Sequence, residues 1–156
     1  MDDHDLKLLL NDLKQTNEAV RDRATQTLWQ HWFCQKGVQG LKFLEQAQSL
    51  MMAEQYSDAE ALLSEVIQTL PDFAEAWNRR AVLYYVMREY RKALTDCDRV
   101  IELVPVHFGA LHGKGLCQMA LGNYTAAIQA FKQALDVQPY ALINQKLILE
   151  CTAKLS

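Results

Sequence analysis

The three prolines of this chain, Pro71, Pro105 and Pro139, fall 34 residues apart, twice. A fixed interval of this length constrains the fold strongly, because each unit has room for two short helices that cannot bury their apolar faces without neighbours. Sliding the sequence by 34 also aligns Phe43 with Trp77 and Leu111, Ala47 with Ala81 and Gly115, and Tyr56 with Tyr90 and Tyr124. The same shift carries Ala59 onto Ala93 and Ala127, and Leu63 onto Cys97 and Phe131.

Within each unit the apolar residues recur at helical spacing, and a break midway (AEQYSDA, MREYRKA, LGNYTAA) divides it into two helices. The prolines close the second helix of each unit, since a ring without an N–H cannot continue the hydrogen-bond ladder. Alanine and Gly115 at matching positions let paired helices approach while larger side chains fill the space between.

These residues resemble the tetratricopeptide repeat, whose pattern is W-x2-L-G-x2-Y, then A-x3-F, then P. The second unit matches at Trp77, Ala81, Tyr84, Ala93 and Pro105, and the third at Gly115, Tyr124, Ala127, Phe131 and Pro139. The departures are Gln46, Arg80 and Lys114 in place of leucine, Cys97 in place of phenylalanine and Gln118 in place of tyrosine. The strings WNRRAVLYY and HFGALHGKGLC are similar to those of small stand-alone members from bacteria and plant organelles. The resemblance, from Gly40 to Pro139, implies an all-α solenoid of three hairpins, approximately 40–73, 74–107 and 108–141.

The flanks read as helices. Leu6, Leu9, Leu10 and Leu13 form one apolar stripe, and Val20, Ala24, Leu28 and Trp32 a second, so residues 1–39 are expected to be a helical hairpin packed on the array. Asn17 suits the N-cap of the second of these helices, and Gly37 its end. Residues 140–156 read as a single amphipathic capping helix, and the N-terminal pair is expected to cap the opposite end.

A formal charge of −3, from 16 basic and 19 acidic residues mixed along the chain, offers no basic stripe for a phosphate backbone, so a nucleic-acid partner is not expected. No apolar run reaches the roughly 20 residues of a membrane span, and MDDHD lacks the basic start of a secretory signal. The expectation is a cytoplasmic protein in which Cys34, Cys97, Cys117 and Cys151 are reduced structural thiols.

The glycine-rich stretch HFGALHGKGLC invites comparison with a phosphate loop or a metal site. Its register places it on the first helix of the third unit, and its spacing is one residue short of the phosphate-loop motif. Steps of five residues rotate His107, His112 and Cys117 by about 140° from one another, so they are not expected to share a metal. The histidines are expected at the surface or in the groove. Gly115 fills the small-residue slot, whereas Gly109 and Gly113 imply that a neighbouring element or a ligand approaches the backbone.

No catalytic constellation is legible, the carboxylates read as scattered on solvated faces, and no cofactor or metal is expected. In the repeat architecture the first helices line a concave groove. The expected partner-binding residues are Leu44, Gln48, Met52, Asn78, Arg79, Val82, Tyr85, Val86, His112, Leu116 and Met119, with Glu45 and Glu75 also inward. This mostly apolar set suits a peptide or helix, and the expected function is a non-catalytic scaffold for complex assembly. Some members of the family hold acidic chaperone tails through a clamp of lysines, asparagines and an arginine. The corresponding positions here are Leu44, Gln48, Arg79, Gly109 and Gly113, of which only Arg79 could serve, so no such clamp is expected. Two alternatives are a homodimer through Trp29, Trp32 and Phe33 in place of a monomer, and a small-ligand sensor using His112 and Arg79.

Overall fold

The computed structural model describes the whole chain, residues 1–156. It contains nine helices and no strand: α1 (Asp3–Asp12), α2 (Glu18–Phe33), α3 (Gly37–Met52), α4 (Tyr56–Thr69), α5 (Ala74–Val86), α6 (Tyr90–Leu103), α7 (Phe108–Ala120), α8 (Tyr124–Val137) and α9 (Leu142–Lys154). Pro71, Pro105 and Pro139 each follow the C-cap of the second helix of a hairpin. The turn inside each hairpin places one residue in the left-handed region, again at a 34-residue interval: Glu54, Arg88 and Gly122. Only Gly122 adopts it without the penalty a Cβ brings there.

The hairpins close on small residues. Ala59, Ala93 and Ala127 are fully buried, one in each second helix, opposite Ala47, Ala81 and Gly115 in the first. A Cβ on Gly115 would overlap the Phe131 ring, so the third hairpin combines the smallest residue with the largest. α9 starts 34 residues after α7 and packs as the first helix of a further unit, with Leu147 and Cys151 against Ala127 and Phe131.

Arg80, where the repeat pattern wants leucine, has a specific role. Its Nε and Nη2 donate to Asp96 Oδ2 and Oδ1 at 2.7 and 2.9 Å, and Nη1 donates to Ser64 Oγ at 3.1 Å. The guanidinium lies against the rings of Trp77 and Tyr84. Burial raises the Asp96 pKa while Arg80 opposes the shift. Tyr84, which donates to Glu60 at 2.8 Å, is pushed up to about 12 by burial and then by that bond. Asp96→Ala removes the partner of a largely buried cation and is expected to lower stability by about 3 kcal/mol, read from the urea midpoint. Lys114, in the same slot one unit on, reaches Asp98 at 2.8 Å on the surface, where a pair contributes little.

The N-terminal hairpin departs from expectation. It does not cap the open end of α3, where Lys42, Glu45, Gln46 and Ser49 border a polar surface cleft instead. α2 ends at Phe33, and Gly37, with φ +66, starts α3 rather than closing α2. α2 lies along one edge of the array and crosses all three proline turns. After its C-terminus, Gln35 donates to the Asp72 carbonyl and Lys36 pairs with the Asp72 carboxylate. Mid-helix, Trp29 and Trp32 pack on His107 and Phe108. Near its start, Thr25 accepts from Gln138, and Arg21 lies 4.1 Å from the Tyr140 ring centre. These contacts run in order from beyond the C-terminus of α2 back to its start as the turns run from the first unit to the third.

Candidate functional site

The centre of α2's contact is a buried cluster around His107. His107 and Glu75 are both 0% exposed. His107 Nδ1 accepts from the Ala110 N–H at 3.0 Å and caps α7, so the ring proton sits on Nε2, which donates to Glu75 Oε1 at 2.5 Å. The imidazole stacks on Trp32 with centres 4.2 Å apart and meets Trp29 edge-on at 5.3 Å. These positions correct two sequence expectations: His107 is not at the surface or in the groove, and the carboxylates of Glu75 and Asp96 are not solvated, although Glu75 does border the cleft between α2 and α5. Of the aromatic trio, Trp32 is 4% exposed, while Trp29 and Phe33 are half-buried, stack on each other and border an open cleft.

Gly109 is explained by the same cluster. A Cβ there would lie 2.6 Å from the Trp29 ring, so a neighbouring element, α2, approaches that backbone.

α2 forms one wall of an open cleft of about 730 Å³, with Trp29, Gln30 and Phe33 facing Leu41, Asn78, Arg79 and Val82 of α3 and α5. Asn78 and Val82 also border a second pocket, about 180 Å³ and mostly apolar, between α5 and α7. Arg79 sits at the polar centre. Its Nη1 donates to Gln48 at 2.5 Å, its guanidinium lies 5.9 Å from the Phe33 ring centre, and its buried Nε has no partner. Burial lowers the Arg79 pKa, and the Glu75 charge opposes that shift. Asn78 donates to Glu75 at 3.4 Å.

Val82, Tyr85 and Val86 are 44%, 36% and 49% exposed and continue the apolar wall along α5. Met52 is exposed at the end of α3. The other expected groove residues divide between core, pocket and surface. Leu44 is buried in the core with Val66, Ile67 and Phe73. Leu116 borders the small pocket beside Val82 and Tyr85, and both Leu116 and Met119 are half-buried against the α8–α9 cluster. Glu45 borders the polar cleft at the α3 end. His112 Nδ1 lies 2.7 Å from Asn144 Oδ1 of α9, and it borders the small pocket from that side. His107, His112 and Cys117 thus have separate partners, and no three histidine, cysteine or acidic side chains converge on a point that could hold a metal. Sequence reading missed the α2 wall and the His107–Glu75 bond; the unexplained Gly109 was the one signal that pointed to them.

Models of the tetratricopeptide repeat match residues 44–88, 74–105 and 109–140, which together make up more than half of the chain. The chain is a tetratricopeptide-repeat protein. Over 94 residues it is 38% identical to a TPR repeat-containing protein of Rhizobium etli, covering 60% of this chain and 46% of that one. Over 136 residues it is 27% identical to Hsp70-Hsp90 organizing protein 2 of Arabidopsis thaliana, covering 87% of this chain and 23% of that one. It therefore spans less than half the length of these curated relatives. The first TPR domain of Spaghetti (RPAP3) bound to an HSP90 peptide superposes with a TM-score of 0.71 at 17% identity, covering 74% of this chain and 91% of that one. At that identity the likeness speaks for the repeat fold alone. No helix is long and apolar enough to cross a membrane.

Proposed function

We propose that this repeat protein is a non-catalytic scaffold whose cleft between α2 and the α3–α5 face, continued by α7, binds a short segment or helix of another protein. The observation that carries this reading is the juxtaposition of exposed Val82, Tyr85 and Val86 with Arg79, whose guanidinium borders the cleft. An apolar guest covers the valines and the tyrosine, and an acceptor on it meets the accessible edge of the guanidinium; a few such anchors dominate binding energy.

The solved relative bound to an HSP90 peptide offers a precedent for a peptide guest. The clamp positions argue for a different one. Leu44 is buried, Gln48 is engaged by Arg79, Gly109 lies under Trp29 and Gly113 offers no side chain. One cation cannot replace a ring of them around an acidic tail.

Affinity capture from native lysate with the wild-type chain and an Arg79→Ala/Tyr85→Ala variant tests the reading. The double variant is expected to lose captured partners, with affinity reduced about 30-fold or more for two anchor residues. A folded double variant that retains every partner overturns the groove as the binding face. In the same assay an acidic chaperone-tail peptide is expected to bind no tighter than ~1 mM.

A further inference from the structure

Every junction between the second helix of one unit and the first helix of the next repeats one pair of positions: Leu63 with Leu83, Cys97 with Cys117, and Phe131 with Cys151. The first and third pairs lie in packed apolar clusters. The middle pair is two small thiols, and the apolar pocket of about 180 Å³ opens beside them, bordered by both cysteines and by Gly109 and Gly113. A Cβ at Gly113 would stand 3.3 Å from Cys97 Sγ, so the absence of a side chain there leaves α7 room beside the sulfur.

The two thiols border the same pocket from α6 and α7. Each perturbs the other, with Cys117 holding the Cys97 pKa up and Cys97 drawing that of Cys117 down. The other cysteines lack such a neighbour: Cys34 is exposed beyond the end of α2, and Cys151 packs with Phe131.

We propose that Cys97 and Cys117 form a thiol-oxidation site, closed by hydrogen peroxide into an intramolecular disulfide that joins α6 to α7. The pocket is far larger than the roughly 10–15 Å³ of probe volume that admits a water-sized molecule, so peroxide can reach sulfurs that are otherwise buried. The Cys117 sulfur attacks one peroxide oxygen and the O–O bond breaks. Cys117 becomes a sulfenic acid, and its former proton leaves with the other oxygen as water. The Cys97 sulfur then attacks the Cys117 sulfur, the S–O bond breaks, and the departing hydroxide takes the Cys97 proton as a second water. Two thiols and one peroxide yield one disulfide and two waters.

The test uses the full chain carrying Cys34→Ser, so that the exposed thiol cannot react. After treatment with one equivalent of hydrogen peroxide, intact mass spectrometry is expected to show loss of two hydrogens. A non-reducing tryptic digest is expected to link peptides 93–99 and 115–132, and dithiothreitol should reverse both changes. Cys97→Ser and Cys117→Ser, each added separately, should abolish the cross-link. Because either variant could also loosen the junction, the digest of the Cys34→Ser chain, with helicity checked by circular dichroism, decides by itself. The proposal is overturned by oxygen addition without a link, by a link to Cys151, or by both thiols remaining free in the folded chain.

Discussion

Leucine in place of His107 is expected to lower stability by about 3–5 kcal/mol, because it leaves the fully buried Glu75 carboxylate with only the long contact to Asn78. Loss of the Nδ1 cap on α7 adds about 1 kcal/mol. The size of the effect comes from the stranded partner, as the paired substitution should reveal. A chain carrying both His107→Leu and Glu75→Leu has no buried charge to compensate and is expected to recover about 2 kcal/mol or more of the loss. Urea unfolding followed by circular dichroism gives both midpoints. A double variant no more stable than His107→Leu alone would show that shape, not the hydrogen bond, dominates this site.

Trp32→Ala is the second large effect. Trp32 is 4% exposed, stacks on His107 and packs with Leu28 and Phe108, so truncation is expected to cost about 3–5 kcal/mol. It also loosens the wall that Trp29 and Phe33 present to the cleft, and partner capture should weaken with it. Limited trypsin digestion separates this local release from global unfolding: Arg21 and Arg23 on α2 should become cleavable while the repeat helices stay intact. Equal protection of α2 in wild type and variant would mean that other contacts hold it in place.

The solenoid was legible because its physics is periodic. Proline turns, buried alanines and tyrosines at the start of each second helix recur every 34 residues, and each recurrence constrains its neighbours. The docking of α2 has no such period. Its contacts with the three turns come from unevenly spaced residues, Lys36, Trp32, Trp29, Thr25 and Arg21, which a register of the repeats cannot reveal. His107 looked like an ordinary groove histidine for that reason: its ring is buried by Trp29 and Trp32, which come from outside the repeats, and by Glu75, one unit away. Arg80 looked like a defect in the pattern because Asp96, its partner, lies on the other helix of the hairpin. Gly109 was the exception, since a helical glycine with no role in its own hairpin pointed to something pressing on the backbone.

The link from Thr25 to Gln138 joins residues 113 positions apart in sequence. Stacked-unit proteins ordinarily come apart piecemeal, each module answering only to the next. Here one rod touches every module, so fraying at either end must also break part of its grip, and with α2 seated the units are expected to unfold more nearly together. Such distant ties also slow folding, since the rod can seat only after all three turns are in line.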